Sequence, residues 1–273
     1  MTKITTPLQI YKLLPKTNCG GCRISTCLAF AAAVMKQEAR LGDCPNLAKD
    51  VVDQCEKSIN RPSGMEDIRE EQLKELKKEF GNADILVRCD LLGARRKDES
   101  IVVQCLGKDF EIDRQGNVAS QCHTHAWFLL PLFDYILHSK GKEASGRWAP
   151  MREMQKGKKW APLFEQRCEK PLKKIADAYS DLFADLVTLF NAESAQTTYN
   201  SDVSVILHPF PKVPVLICYW KQEDDIESKL LFFFDDKAEE NLSVESLFNL
   251  GTGLVRMFER IMYKHTDGKS EMD

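Results

Sequence analysis

The sequence predicts an α+β protein in two parts: a small helical module rich in cysteine over residues 1–60, then a mixed domain with antiparallel strands and several helices over residues 65–267. Three observations predict it. Cys19, Cys22, Cys27 and Cys44 crowd one stretch near the start, between segments of helical pattern. Asn60-Arg61-Pro62-Ser63-Gly64 is the strongest linker signal in the chain, combining turn residues and breakers. Beyond it, β-rich or alternating runs are interleaved with apolar residues at helical spacing, the mixture of a strand-and-helix domain.

In the first part, Thr6-Pro7 opens a short helix with a capping residue and proline at its first position, and Leu8, Tyr11 and Leu14 form its apolar stripe. The cysteine stretch follows, Asn18 to Pro45, with the spacing C-x2-C-x4-C-x16-C. Four thiolates can hold a [4Fe–4S] cube, one to each iron. Three cysteines close together form a loop around one face of such a cube, and Gly20 and Gly21 let the backbone turn N–H groups toward its sulfurs. Thr26 to Gln37 reads as a helix of about 18 Å, and Glu38 to Cys44 spans roughly 20 Å when extended, so the chain can bring Cys44 back to where Cys27 left. Zinc is the alternative for any four-cysteine set, but structural zinc sites generally use two short cysteine knuckles, and C-x16-C is not one. A third helix, Pro45 to Ile59, offers Val51, Val52 and Cys55 to a core. Cys55 is the rival to Cys44 as fourth ligand, and its helical spacing favours packing instead.

In the second part, Met65 to Phe80 reads as a charged amphipathic helix with Ile68, Leu73, Leu76 and Phe80 on its buried side. Strands are expected at Asp84–Asp90, Ser100–Leu106 and Lys108–Ile112, and a turn at Arg114–Asn117. Thr124 to His138 has the apolar density of a buried helix, kinked or restarted by Pro131. A long helix is expected from Pro171 to Asn191. Val203–Leu207 and Val213–Trp220 flank HPFPK as a hairpin, Lys229–Phe234 is a third strand, and Ser243 caps a last amphipathic helix.

Composition excludes several classes. The 273 residues are 43% hydrophobic and 29% charged, with a net charge of −3, which suits one or two domains with a real core and gives no global attraction to nucleic acid or anionic lipid. The first residues lack an apolar signal-peptide region, and no apolar run reaches membrane-spanning length. Ten cysteines without a secretion signal are expected to be thiols of a reducing cytoplasm.

Other chemistry-bearing residues are sparse. Cys122, His123 and His125 form a partial ligand set that leads into a buried helix, so polarity at a helix start is the expected role. His208 beside Pro209 reads as a turn or edge residue. Cys89, Cys105 and Cys218 look like core, and Cys168, in a polar stretch, is the expected exposed thiol. His138 to Lys174 holds eleven Lys or Arg against four Glu, whereas Gln222 to Glu245 holds nine Asp or Glu against two Lys. These opposite stretches either hold the domain together or mark partner faces.

PLQIYKLLPKTNCGGCRISTCLAFAAAV followed by GDCP resembles the four-cysteine 4Fe–4S domain of the corrinoid iron–sulfur protein large subunit of the acetyl-CoA pathway. It is similar, less closely, to the B subunit of Rnf-type electron transport complexes. The resemblance covers about a sixth of the chain and implies Cys19, Cys22, Cys27 and Cys44 as cluster ligands. Arg23 stands where that family usually has glycine, and its charge beside a cluster favours the reduced form. Residues 84–264 resemble a domain family of unknown function that often follows this cluster domain in iron–sulfur proteins of anaerobes. HAWFLLPLFDYI, GRWAPMREM, PFPKVPVLICYW and LFFFDDKAEENL carry that resemblance, and no activity comes with it. Gln222 and Glu223 depart from its usual Gly-Asp-Glu-Glu-Phe run.

No nucleophile–base pair and no phosphate cradle is visible, so whether the chain is an enzyme is left open. The expected role is a cytoplasmic one-electron carrier or redox partner in anaerobic metabolism, holding a [4Fe–4S] cluster and working with a partner protein. The alternatives are a corrinoid-linked protein whose cluster reduces a bound or partner cobalamin, and a binding module whose cluster is structural.

Overall fold

The computed structural model describes residues 4, 6–22, 24–35, 39–56, 59, 65–122, 125–179, 181–196 and 199–267. Arg23, the expected linker at 60–64 and His123 lie outside the described residues. The chain divides into two compact units, Met1–Ile68 and Arg69–Asp273.

The first unit contains α1 (Pro7–Leu13), α2 (Cys27–Met35) and α3 (Lys49–Glu56), with a 3-10 turn at Leu41–Asp43. Pro7 opens α1, and the Thr6 N–H donates to Gln9 Oε1 at 3.0 Å, which satisfies a donor that the helix leaves orphaned. The expected stripe of α1 holds in part. Leu14 is buried and Tyr11 half-buried as expected, but Leu8 is exposed and Ile10 takes the buried place. Ile10 and Leu14 join Phe30, Ala31, Val34, Met35 and Leu41 in a small core of their own, with Tyr11, Val52 and Cys55 packed against it. Leu28 faces outward. A parallel bridge pairs Ile4 with Ile59.

The second unit begins within α4 (Met65–Asn82), whose Phe80 is buried while Ile68 is exposed. The expected strand at Asp84–Asp90 is helical: a 3-10 turn at Ile85–Arg88 runs into α5 (Cys89–Leu92), which Gly93 ends in the left-handed conformation at φ +64°. Periodicity cannot separate a short apolar run as strand or helix, and the Gly93 stop signal favours the helix end. A four-stranded antiparallel meander follows, β1 (Arg95–Lys97), β2 (Ser100–Cys105), β3 (Lys108–Ile112) and β4 (Val118–Ser120). Leu106 and Gly107, at φ +50° and +71°, make the tight β2–β3 turn.

The helix α6 (Ala126–His138) continues through Pro131. After β5 (Trp148–Pro150) come α7 (Ala161–Phe164), a π-helical turn at Glu165–Glu169 and α8 (Lys170–Ala178). The single long helix expected from Pro171 to Asn191 is two. The chain turns extended at Tyr179, and α9 (Leu182–Phe190) starts anew from Asp181. The strands β6 (Glu193–Ser194), β7 (Val203–Phe210), β8 (Val213–Trp220) and β9 (Lys229–Asp235) complete a five-stranded antiparallel sheet in the order β5-β9-β8-β7-β6. A register shift between Leu207 and Phe210 falls at Pro209, which has no N–H to give the ladder. The last elements are α10 (Ala238–Asn241) and α11 (Val244–Asp267).

From Val213 to Tyr219, β8 is buried without alternation, because its sheet is covered on both faces. One face meets the main core, in which Phe128, Phe164, Phe210, Phe232, Phe234, Phe248 and Phe258 are buried. The other holds Leu216, Cys218 and Phe233 under Trp148 and Tyr199, the Tyr199 and Phe233 rings stacked at 4.6 Å. The architecture is α+β, as the sequence predicts.

Candidate metal centre

Between α1 and α2 the chain runs exposed from Pro15 to Gly21. Lys16, Asn18 and Gly20 all take the left-handed conformation, at φ +60°, +48° and +69°. This coils the loop tightly rather than extending it. Asn18 then anchors the loop to the following helix: its Oδ1 accepts the Cys27 N–H at 2.8 Å. Thr26 caps the same helix start, its Oγ1 accepting the Ala29 N–H at 3.1 Å. Cys27 is thereby fixed as the first residue of α2, with its side chain buried.

The returning strand of chain lies against this loop. The Arg40 N–H donates to Asp43 Oδ2 at 2.7 Å and closes the 3-10 turn, whose end delivers Cys44. Asn46 Nδ2 donates to Cys19 Sγ at 3.2 Å, across 27 positions of sequence. Gly21 sits so close to Pro45 that a Cβ on it would meet Pro45 Cγ at 2.8 Å and Cys19 Sγ at 3.6 Å. Here glycine is required by contact, not by φ. The segment Cys44–Asn46 therefore closes over the loop that carries Cys19 and Cys22.

The four cysteines differ in exposure: Cys19 is exposed, Cys22 half-buried, and Cys27 and Cys44 buried. The backbone N–H of Gly21 and the Thr17 side chain, and to a lesser degree Asn46, hold the Cys19 thiol below the ordinary value against the opposing effect of desolvation. Donors converging on a sulfur favour its thiolate, the form that ligates iron. Soft sulfur donors with N–H groups aimed at one of them fit an iron–sulfur group. As the side chains stand, no three or more of the described His, Cys, Asp or Glu converge closely enough to hold a metal ion. Cys55 lies half-buried against the small core.

Elsewhere the expectations fare unevenly. Cys168 is a correction. It is fully buried in the π-helical turn, where its Sγ would be 3.2 Å from a Cβ on Gly251, and burial pushes its thiol well above the ordinary value. Cys89, Cys105 and Cys218 are buried, although Cys89 lies in a helix. His125 is the residue before α6. His208 lies in β7, 3.8 Å from Glu193. Sequence reasoning missed a polar pocket at the end of α8, lined by Lys173, Asp177, Tyr219, Gln222, Glu227 and Ser228. There the Tyr219 hydroxyl donates to Asp177 at 2.8 Å and Lys173 pairs with the same carboxylate at 3.0 Å. Burial and the Asp177 charge push Tyr219 up to about 12, which keeps it a donor rather than a base. The only signal in sequence was the spacing of Lys173 and Asp177, one turn apart.

The comparisons with known proteins divide along the chain. Residues 84–257 match the family model described as Domain of unknown function (DUF3786). Residues 14–46 match a model described as "Putative Fe-S cluster". The N-terminal region is also similar to acetyl-CoA decarbonylase/synthase complex subunit gamma. Identity is 48% over 48 residues with that of Methanosarcina acetivorans, covering 18% of this chain and 10% of the relative. It is 49% over 45 residues with that of Methanothermobacter thermautotrophicus, 16% and 10%, and 42% over 48 residues with that of Archaeoglobus fulgidus, 18% and 10%. The chain thus spans a tenth of the length of these relatives. No solved structure matches. Among the described residues, no helix is long and apolar enough to cross a membrane.

Proposed function

Because the chain belongs to the family described as Domain of unknown function (DUF3786) and carries an iron–sulfur region ahead of that domain, we propose that it is a one-electron carrier or redox partner in the anaerobic cytoplasm. Cys19, Cys22, Cys27 and Cys44 are the proposed ligands of a [4Fe–4S] cluster, one thiolate per iron. Such a cube, when bound, supplies reversible one-electron chemistry. The observation that carries the reading is the closure of Cys44–Asn46 over the Cys19–Cys22 loop, seen in the Asn46–Cys19 hydrogen bond and the Gly21–Pro45 approach.

The residues around the loop have separate tasks. Asn18 and Thr26 fix Cys27 on the helix start. Asn46 and the Gly21 N–H place donors on the Cys19 sulfur, which stabilises negative charge there. Four protein thiolates leave no iron open to a substrate, so electron exchange with a partner protein is the chemistry that this donor set serves. Residues 1–60 form the proposed cluster domain and 65–267 an α+β domain of its own. A Met65–Asp273 fragment that unfolds cooperatively on heating tests that division, and an aggregating one overturns it.

A corrinoid-linked role is the second reading, favoured by the similarity to the gamma subunits. Anaerobic purification with iron, sulfide and cobalt analysis separates the two. Iron and sulfide of about four each per chain without cobalt support the carrier; stoichiometric cobalt supports the second reading. A redox titration followed by electron paramagnetic resonance completes the test. If dithionite yields no paramagnetic reduced cluster, the cluster is structural and the electron-carrier reading fails.

A further inference from the structure

We infer that the face formed by α1 and the loop around Cys19 is a docking surface for an acidic one-electron carrier protein. This rests on the electron-carrier reading and adds the chemical class of the partner.

The first 37 residues hold five Lys or Arg and no Asp or Glu, in a chain whose net charge is −3. Two of these lysines stand beside the most exposed cysteine. Lys16 lies in the exposed run that ends at Cys19 and Gly21, and Lys12 stands in the last turn of α1, one turn before it. Lys16 Nζ lies 5.6 Å from the centre of the Tyr11 ring, which holds the ammonium near the loop. Among the described residues neither lysine has a carboxylate partner within ion-pair distance. Leu8 shares the Lys12 face, four residues earlier on α1, and is 61% exposed. An outward apolar side chain beside charges of one sign suits a partner of the opposite sign.

In the second unit part of the basic stretch is held by acidic partners, while Lys156, Lys158 and Lys159 have no ion pair among the described residues. Arg147 pairs with Asp236 at 2.6 Å, Lys170 with Glu165 at 2.9 Å and Lys173 with Asp177 at 3.0 Å. Among the described residues Lys12 and Lys16 have no such partner, and they lie next to the most exposed of the four cysteines. They can act at long range, where unpaired charge raises association rates and selects a partner of opposite sign. With the proposed cluster held by Cys19, Cys22, Cys27 and Cys44, one electron would pass from the partner's reduced centre to it. No bond forms or breaks and no proton is needed.

The test uses the full-length protein with its cluster and, as the probe, an acidic bacterial ferredoxin. Equilibrium binding is measured by biolayer interferometry from about 20 mM to about 300 mM salt. Binding is expected to weaken at least about tenfold across that range. Lys12→Glu/Lys16→Glu should weaken it about tenfold at low salt, whereas Lys158→Glu/Lys159→Glu, the same charge change at exposed residues of the second unit, should leave it nearly unchanged. Leu8→Ser weakens binding without altering its salt dependence. Iron content confirms that each variant keeps its cluster, and Lys16→Gln serves if the double variant loses it. Equal effects from the two double variants would reduce the surface to net charge and overturn the inference. So would equal affinity for a single-stranded oligonucleotide, which marks a general polyanion surface. Reduction by methyl viologen radical separates the two levels. If viologen reduces the cluster normally but the lysine variants bind ferredoxin as the wild type does, only the docking inference fails. If neither donor reduces the cluster, the electron-carrier reading fails and the inference with it.

Discussion

Replacing Gly21 by alanine is the sharpest probe of how the cysteine loop closes. Gly21 lies outside the left-handed region, so alanine meets no backbone strain there. What it meets is Pro45, with Cγ at 2.8 Å from the new Cβ. Carbon atoms rest comfortably at about 3.5–4.0 Å, so the loop and the Cys44–Asn46 segment must part by about 1 Å. Overpacking of this kind costs about 1–3 kcal/mol. At 1.4 kcal/mol per tenfold, that is a shift of about 5- to 150-fold toward the open loop.

The assay is the anaerobic rate of iron loss to bathophenanthroline, followed by the decay of visible absorbance. Gly21→Ala should lose iron faster by a factor in that range. Pro45→Ala removes the obstructing ring atoms and leaves Cys19 Sγ as an ordinary contact at 3.6 Å. The double variant should therefore return close to the rate of Pro45→Ala alone, a coupling that a double-mutant cycle isolates. Gly20→Ala is the control. Its Cβ meets nothing within 4 Å, but its φ is +69°, so it should cost about 1–2 kcal/mol through the backbone and gain nothing from Pro45→Ala. A Gly21→Ala protein that holds iron like the wild type, or one that Pro45→Ala does not rescue, refutes the closure argument.

Three further outcomes are expected. Single replacement of Cys19, Cys22, Cys27 or Cys44 by alanine should abolish most of the cluster absorbance and iron content, while Cys55→Ala retains both; the reverse pattern for Cys44 and Cys55 would reassign the fourth ligand. Asp235 is fully buried and accepts the N–H groups of Ser145, Gly146 and Lys237 at 2.9, 2.8 and 2.9 Å, so Asp235→Asn should cost about 2–4 kcal/mol and lower the melting temperature by roughly 5–15 °C, with an unchanged melting curve as the refuting result. Burial disfavours the charge of His138, but hydrogen bonds with Glu79 at 2.9 Å and Asp134 at 2.8 Å outweigh it and raise its pKa above 6.5; a raised value stabilises the fold below about pH 6.5 and loses that contribution as pH climbs through the folded pKa, so His138→Gln should flatten the stability–pH curve there, and an unaltered slope would refute the assignment.

How much of this was legible in the sequence depended on the range of the interaction. The cysteine loop was legible because its constraints are local: Gly20 and Gly21 announce a turn, Thr26 a helix start, and the C-x16-C span fits a helix and a return. Asn46 reaching Cys19, and Pro45 filling the space over Gly21, were not legible, since neither residue type signals a distant partner. The run Asp84–Asp90 misled because a short apolar segment has no distinguishing period, and Cys168 misled because polar neighbours in sequence pointed outward from a turn that buries its sulfur. The strands β1, β4, β5 and β6 are two or three residues long and carry no alternation of their own. They exist by pairing with longer neighbours, as Trp148–Pro150 does with Phe233–Asp235.

The two charged stretches show the same principle in electrostatics. Read along the sequence, residues 138–174 look like a basic surface and 222–245 like an acidic one. The β5–β9 pairing sets Trp148 opposite Asp235, and this register brings the stretches together. Arg147 meets Asp236 at 2.6 Å, the N–H groups of Gln155 and Lys156 meet the Glu239 carboxylate at 2.5 and 3.0 Å, and Asn241 Nδ2 donates to Lys142 O at 2.7 Å. One ion pair thus matches charge between the stretches, and the remaining contacts fix the connection against the sheet edge. Net charge along a sequence is therefore a poor guide to where a partner binds. The better guide is charge that the fold leaves unmatched. By that measure Lys12 and Lys16 are a candidate recognition feature beside an exposed cysteine, with no acidic residue before Glu38, and the exposed Lys156, Lys158 and Lys159 are the unmatched charges of the larger basic stretch.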